Sequence, residues 1–205
     1  MTDFWVLLGT DQCGKSTILD RIAARGGPVL PVSYDAPLLF GEYRALTALP
    51  EALRRAFASG HAPEYVQALL NVAVAYYRDR IFRAPPGRTL LIDSYYYKIL
   101  AKCRLLGLAD GPWQEHWRSL PQPRGVLLLE VDPGTAWRRA GEGARLNPFE
   151  HYGPTPDIDG FTRFQLDLRA ELVAETRQLH VERVPAGQDA GAAVDHVLGT
   201  IEEAT

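Results

Sequence analysis

The sequence predicts an α/β fold in which helices cover both faces of a parallel β-sheet. Short runs of Val, Leu and Ile alternate with longer helical patterns, and the strongest motif joins the first strand to the first helix. Continuous apolar runs are typical of strands buried on both faces, as in parallel sheets. Strand–helix alternation favours right-handed crossover connections, so the helices are expected on both sides of one sheet.

Each predicted element follows from its local pattern. The five apolar runs predicted as strands are 3–9, 27–33, 88–93, 125–131 and 179–184. The patterns predicted as helices are 15–25, 63–82, 95–107, 133–141, 160–178 and 189–203. A length of 205 residues suits a single domain over 1–205.

One connection is unusually long for a compact domain. Segment 141–160 is rich in Gly, Pro and charged residues and lies between two predicted helices. Loops of this length are uncommon unless they are functional. We therefore expect a lid at approximately 138–160, within the single domain, that closes over a site.

Composition and charge exclude several classes of protein. A net charge of −3 and a sequence pI of about 6.0 argue against binding to a nucleic-acid polymer. The apolar runs are far shorter than the roughly 20 residues of a membrane span, and no secretory pattern follows the first Met, so we expect no membrane partner and a cytoplasmic protein. Two cysteines and scattered histidines predict neither a disulfide framework nor a structural zinc site.

The segment Gly9 to Ser16, GTDQCGKS, matches G-x-x-x-x-G-K-[ST] between a predicted strand and a predicted helix. Glycines permit the tight backbone, and the loop amides and helix N-terminus point at a polyphosphate. Lys15 would reach the β- and γ-phosphates of a nucleotide, and the Ser16 hydroxyl would bind Mg²⁺. The predicted nucleotide-binding residues here are Gly9, Asp11, Gln12, Cys13, Gly14, Lys15, Ser16 and Thr17.

Two features of composition bear on this loop. Only Lys15, Lys98 and Lys102 are lysines, and the other basic residues are arginines. A lysine that persists under such a bias is a candidate for chemistry, Lys15 first. Cys13 is either a small filler residue or a thiol activated at a helix N-terminus.

A second acidic position ends the third predicted strand. Asp93 closes RTLLID, and ligands of open α/β sheets bind beyond the carboxyl ends of the strands. A carboxylate there holds Mg²⁺ or accepts the proton of an acceptor, or it simply caps the next helix. Three tyrosines follow in a row, so one or two of them, Tyr97 included, are expected to face a ligand.

Together with VDPGTAWRRAGEGARLNPFE at 131–150, these motifs resemble the thymidylate kinase family of nucleoside monophosphate kinases. The resemblance implies a three-layer P-loop kinase fold with sheet order 2-3-1-4-5. It also implies transfer of the γ-phosphoryl group of ATP, with Mg²⁺, to a small-molecule acceptor that is a nucleoside monophosphate. A homodimer formed through helices near 63–82 and 95–107 is implied as well.

The resemblance also assigns roles to residues. Lys15, Ser16 and Thr17 would hold Mg·ATP, with Ser16 and Asp93 as the metal-binding positions. Asp11 would contact the sugar of the acceptor, and Arg44 would grip its phosphate. The lid arginines that stabilise the transferred phosphoryl group would be Arg139 and Arg145, with Arg138 beside them, and Gln188 in 185–189 would contact the adenine.

Departures from the family pattern concern the acceptor. The arginine that follows the strand-end Asp is Ser94 here, and the family's T-R-E-P-G segment is replaced by VSYDAP at 32–37. The position of the thymine-reading arginine holds Val72, which removes a bidentate donor. Gln67 and Asn71 are neighbours on one helix face and are expected either to read another acceptor or to form a hydrated or buried amide pair.

Three functions therefore remain open. The first is an ATP-dependent kinase of a nucleoside monophosphate, possible acceptors including ones other than dTMP. The second is a kinase of the same fold that phosphorylates a hydroxyl of a nucleoside or specialised metabolite. In that case Asp93 is the general base, and Tyr34, Asp35 and Glu42 are candidate acceptor contacts. The third is an ATP-binding module with little transfer activity.

Overall fold

The computed structural model describes residues 3–35, 38–108, 111–184 and 189–204. Its sheet has five parallel strands in the order β2-β3-β1-β4-β5, which confirms the predicted fold. The strands are β1 (Phe4–Gly9), β2 (Val29–Val32), β3 (Thr89–Asp93), β4 (Gly125–Leu129) and β5 (Val181–Val184).

The helices lie between the strands, as the alternating pattern predicted. They are α1 (Lys15–Arg25), α2 (Leu49–Ala58), α3 (Pro63–Phe82), α4 (Tyr95–Leu105), α5 (Pro112–Arg118), α6 (Pro133–Arg139), α7 (Ile158–Thr176) and α8 (Ala190–Glu203). A 3₁₀ segment, Gly41–Ala48, precedes α2. None of the helices in the described part of the chain is both long and apolar enough to cross a membrane.

Successive side chains of the central strand β1 enter two separate cores. Phe4, Val6 and Leu8 pack on the face covered by α3, α4 and α7. Trp5 and Leu7 pack on the opposite face, against α1 and α8. This alternation follows from the period of two along a strand, and it explains why the run FWVLL is apolar throughout.

The sequence did not predict α2, α5 or the 3₁₀ segment. Both helices carry a proline in the first turn, Pro50 in α2 and Pro112 in α5. Proline is favoured at that position because its missing N–H has no partner there in any helix. Strand β2 is shorter than predicted and contains Pro31, which an edge strand tolerates because one side of its backbone has no neighbour.

The helix that follows β3 is more deeply buried than a dimer surface would be. Tyr95, Tyr96 and Tyr97 are each at most 3% exposed and contact one another edge-on or tilted. Helix α4 therefore contributes these rings to the core of its own chain. Helix α3 presents Tyr65 and Phe82 to solvent, and a homodimer stays a prediction.

A pair of glycine substitutions tests the packing of the sheet. A Cβ on Gly125 would lie 2.4 Å from the Trp5 ring, whereas a Cβ on Gly199 in α8 would meet nothing within 4 Å. We expect Gly125→Ala to lower the free energy of unfolding by about 1–3 kcal/mol through overpacking. Gly199→Ala should raise it by about 0.5–1 kcal/mol. Urea unfolding measures both, and equal effects would contradict the packing around Trp5.

Candidate active site

The G-x-x-x-x-G-K-[ST] segment forms a tight loop between β1 and α1. Gly14 adopts φ 104°, a left-handed conformation that favours glycine. A Cβ on Gly9 would lie 2.6 Å from the carbonyl oxygen of Leu129, so the close approach of β4 also requires glycine. Helix α1 begins at Lys15, directly after the loop, and its N-terminus faces the cleft described below.

Lys15 is turned back onto its own loop. Its Nζ donates to the carbonyl oxygens of Thr10 (3.3 Å) and Gly9 (3.4 Å) and lies 3.7 Å from Cys13 Sγ. The side chain is 9% exposed. A phosphate in the loop would replace these carbonyl contacts with stronger, charge-assisted ones.

A cleft of about 760 Å³ extends from this loop. Residues 11–17, from the loop between β1 and α1 (the phosphate loop) and the start of α1, form its floor. Its walls come from α2, α4, the end of β2 and the segment 138–160, which we call the lid. The apolar part of the wall consists of Pro50, Leu53, Phe57, Leu70, Ile99, Cys103, Leu106, Leu108 and Phe149. Such a volume is typical of a small-molecule site.

Asp93 is held at the end of β3 by two serine hydroxyls. Ser33 Oγ donates to its Oδ2 (3.1 Å) and Ser94 Oγ donates to its Oδ1 (2.8 Å). Ser94 and Tyr95 both have positive φ, 59° and 49°. Two consecutive left-handed residues with side chains store strain, which is typical of functional sites. Ser94, which stands where the family resemblance would place an arginine, thus orients the carboxylate of Asp93.

Asp35 lies beyond β2, close to Asp93. The Asp35 backbone N–H donates to Ser33 Oγ (3.2 Å), so one buried serine links the two acidic positions. Partial burial of the Asp35 carboxyl raises its pKa, and the nearby charge of Asp93 raises it further, against the opposing effect of Lys15. A carboxyl with a raised pKa is a better proton acceptor when ionised.

Tyr34 lines the same wall as Asp35. Burial raises the pKa of its phenol, and the charges of Asp35 and Asp93 add to that effect. The phenol therefore stays protonated and can donate a hydrogen bond to a ligand. The sequence had identified Tyr34 and Asp35 only as acceptor contacts of a hydroxyl kinase.

Asp11 lies in the phosphate loop and is tied to two other elements. Lys98 Nζ and Lys102 Nζ both approach its Oδ1, at 2.8 Å and 2.9 Å, and Gln165 Nε2 donates to its Oδ2 at 3.2 Å. Burial alone would raise the pKa of Asp11, but the ammonium groups of Lys102 and Lys98 hold it well below its usual range. The carboxylate thus stays ionised and joins the loop to α4 and α7.

Gathering of all three lysines in one cleft is the main feature that the sequence did not reveal. Lys15, Lys98 and Lys102 all line it. The scarcity of lysine marks each of the three as a candidate for chemistry, but from the sequence only Lys15 had a predicted role. Helix α4 brings the other two together because residues four apart lie on one face.

The lid arginines take different positions. Arg139 Nη1 donates to the carbonyl oxygen of Cys13 in the phosphate loop (3.0 Å), and Arg145 donates to the carbonyl oxygen of Arg139. Both line the cleft. Arg138 instead donates to Thr135 Oγ1 (2.8 Å) on the exposed side of α6. The structure brings two of the three predicted arginines to the cleft, and one of them, Arg139, contacts the phosphate loop.

The segment 138–160 lines the cleft and contacts α2. The Phe149 ring meets the Phe57 ring of α2 edge-on, with centroids 4.2 Å apart. Glu150 accepts a hydrogen bond from Gln12 Nε2 (3.4 Å) through its carboxylate, and one from Gln165 Nε2 (2.9 Å) through its carbonyl oxygen. The lid therefore contacts the phosphate loop, α2 and α7 at once.

Five predicted acceptor residues lie away from the cleft. Asn71 Oδ1 accepts a hydrogen bond from Trp117 Nε1 (2.9 Å), and Gln67 is buried at 7% exposure on the same helix. Tyr97 is 1% exposed and its hydroxyl donates to Gln122 (2.9 Å). Arg44 is exposed on the 3₁₀ segment, as is Glu42, which pairs with Arg80 (3.5 Å). Gln188, the predicted adenine contact, lies outside the described residues.

No protein-family model matches the chain, and no curated protein sequence does. Among solved structures it is similar to a deoxyadenosine kinase from M. mycoides with the products dCMP and dCDP bound, at 14% identity and a TM-score of 0.66. That similarity covers 98% of this chain and 99% of the other. A second structure of deoxyadenosine kinase from M. mycoides, with dATP bound, is 12% identical with a TM-score of 0.63, and the similarity covers 98% and 100% of the two chains. Likeness at this level of identity shows a shared fold.

Proposed function

We propose that the protein is an ATP-dependent phosphotransferase that moves the γ-phosphoryl group of ATP to a hydroxyl group of a small molecule. One observation carries the proposal. At the ends of three adjacent strands, Lys15 and Asp35 line a single cleft, and Asp93 lies beside it, hydrogen-bonded to Ser33 and to the cleft residue Ser94. This arrangement combines a polyphosphate site with a carboxylate suited to accept a proton.

The donor side fits ATP with Mg²⁺. The hydroxyls of Ser16 and Thr17 are exposed at the start of α1, and the Asp93 carboxylate lies at the end of β3. Such oxygen donors suit Mg²⁺, which takes its remaining ligands from phosphates and water. When bound, the ion would neutralise charge that develops on the phosphates.

The acceptor side favours a hydroxyl over the monophosphate that the family resemblance implied. Asp35 and Asp93 are close together, and their carboxylates would repel a phosphate dianion. Beyond them the wall is mainly apolar, with Leu53, Phe57 and Ile99 from α2 and α4. An alcohol carries no charge for these carboxylates to repel, and Asp35 can accept the proton of its hydroxyl group.

The reaction follows from these positions. The acceptor oxygen attacks the γ-phosphorus in line, the bond from phosphorus to the ADP oxygen breaks, and the hydroxyl proton passes to Asp35. Lys15 and the arginines Arg139 and Arg145 would stabilise the charge on the transferred group and on ADP, because their donors stay charged throughout. The closed lid would keep water from competing as the acceptor.

A monophosphate acceptor remains the second candidate because of one residue. Arg54 lines the cleft from α2, where its Nη2 pairs with Glu51 (2.9 Å) and the side chain is 52% exposed. An exposed ion pair of this kind contributes little stability, so Arg54 is free to turn to a phosphate at the mouth of the cleft.

A screen of ADP release separates the candidates. The purified chain with Mg·ATP would be tested against nucleosides and their 5′-monophosphates, with Lys15→Ala as the blank. Nucleosides come first because the two structural neighbours are deoxyadenosine kinases. ADP release that depends on a nucleoside supports the proposal, and release only with a monophosphate supports the second candidate. Thermal stabilisation by ATP without release in either set would indicate a binding module or an alcohol of another class.

Ser33 offers a test of how the carboxylates are oriented. Its hydroxyl is 1% exposed and bridges Asp93 and the backbone of Asp35. We expect Ser33→Ala to lower kcat about tenfold, since one hydrogen bond to a charged group is lost. Steady-state kinetics measures the effect, with Ser119→Ala as a control because Ser119 is exposed and its hydroxyl donates to the carbonyl oxygen of His116, away from the cleft. An unchanged kcat for Ser33→Ala would contradict the bridging role.

A further inference from the structure

Two lysines of α4 share one carboxylate oxygen, although one lysine would be enough to pair it. Lys98 and Lys102 both contact Asp11 Oδ1, and Gln165 donates to Oδ2. With Lys102 and Gln165 alone, both oxygens of Asp11 would still be paired. A second buried ammonium group is costly to remove from water unless it has a further use.

The surroundings of the two ammonium groups differ. Lys98 lies close enough to Asp93 and Cys13 for its charge to act on both, and it also acts on Asp35. Lys102 acts on Glu150 of the lid and lies 5.9 Å from the Phe164 ring of α7. Both ammonium groups thus act on Glu150, but Lys98 acts in addition on the corner where the phosphate loop and the ends of β2 and β3 meet, whereas Lys102 lies against α7.

A further cation would offset the negative charge of that corner when a polyphosphate is present. Asp35 and Asp93 contribute carboxylates beside the proposed position of the transferred group, and α4 begins directly after Ser94. The described cations on the loop side are Lys15 and Arg139, and Arg139 already donates to the Cys13 carbonyl. Lys98 lies one helical turn after Ser94, on the cleft wall, with 14% of its side chain exposed.

We propose that Lys98 is a second catalytic lysine whose ammonium group leaves Asp11 to contact the γ-phosphoryl group of bound ATP, while Lys102 keeps Asp11 paired. The role rests on the proposed function. Lys98 stays protonated through the transfer, in which the phosphorus bond to the ADP oxygen breaks and the bond to the acceptor oxygen forms. Its contribution is to stabilise negative charge on the moving group.

The first test compares two nucleotides that differ by the γ-phosphate. Calorimetry with Mg²⁺ would measure Kd for ADP and for the ATP analogue with a β–γ methylene bridge, using wild type, Lys98→Met, Lys98→Arg and the matched control Lys102→Met. We expect Lys98→Met to weaken the analogue about tenfold or more and ADP less than twofold, the loss expected of one charge-assisted contact. Lys98→Arg should retain most of the preference, and Lys102→Met should affect both nucleotides alike. Equal losses of both nucleotides in Lys98→Met would overturn the proposal.

A second measurement uses the unaltered protein, in case a variant fails to fold. Because the chain has only three lysines, acetylation by an N-hydroxysuccinimide ester can be followed at each of them by mass spectrometry. The analogue with Mg²⁺ should slow acetylation of Lys98 more than ADP does, and Lys102 should not distinguish the two nucleotides. Equal protection of Lys98 by both would overturn its role and leave the proposed function standing. Failure of both nucleotides to bind would overturn the proposed function together with this role.

Discussion

Replacing Lys15 by methionine is expected to reduce kcat by about 10²–10³-fold, the loss typical of removing one donor to a charged transition state. The ammonium group is the cation at the start of α1, and it contacts two loop carbonyls and the Cys13 thiol at 3.3–3.7 Å. Methionine keeps the length and apolar volume of the side chain. The loss should therefore appear in transfer and nucleotide affinity, with the fold intact.

The control for this change lies at the other end of the same helix. Arg25 pairs with Asp195 (2.5 Å), and its side chain is 58% exposed. Arg25→Met removes a cation from α1 without touching the cleft, so kcat should change less than about twofold, as for other exposed ion pairs. Coupled ADP-release kinetics and thermal unfolding would be measured on both variants. Substantial activity in folded Lys15→Met would rule out the phosphate role of this lysine.

Replacing Asp35 by asparagine is expected to lower kcat by about 10²–10⁴-fold, the usual contribution of a general base. Its pKa is raised by partial burial and by Asp93, so the ionised, proton-accepting form increases as pH rises through that pKa. In the wild-type protein kcat should therefore rise as the pH rises through the pKa of Asp35. Asp35→Asn should remove this dependence and leave the affinity for ATP nearly unchanged.

Asp93→Asn provides the matched comparison, because the two carboxylates share the Ser33 hydroxyl group as a partner. We expect this variant to need a higher Mg²⁺ concentration for half-maximal activity and to keep the rise of rate with pH. A titration of Mg²⁺ at several pH values measures both variants. The assignment would be reversed if Asp35→Asn lost the Mg²⁺ affinity and Asp93→Asn lost the pH dependence, the latter being the general-base role that the sequence predicted for Asp93 in a hydroxyl kinase.

The sequence by itself determined the phosphate loop, and the resemblance to the thymidylate kinase family implied the sheet order. The loop is encoded by eight consecutive residues. Glycine is needed at Gly14 because the backbone there is left-handed, and at Gly9 because a Cβ would collide with the Leu129 carbonyl oxygen. Strands that are buried on both faces appear in the sequence as continuous apolar runs. The strands β1, β3 and β4 could therefore be predicted from local sequence pattern alone. The family resemblance that these motifs carry implied the order of the strands, which the structure confirms.

Only the tertiary structure decided which polar residues face the cleft. Lys102 contacts Asp11 from 91 residues away, and Ser33 contacts Asp93 from 60 residues away. The rotation of α3 turns Asn71 to Trp117, and the rotation of α4 turns Tyr97 to Gln122 and Lys98 to the phosphate loop. Helix rotation is set by packing against the sheet and neighbouring helices, which a linear pattern of polar residues does not specify. The residues of the proposed donor side lie mostly in one continuous loop, so they could be predicted from the sequence. The residues of the proposed acceptor side come from distant segments, so they could not.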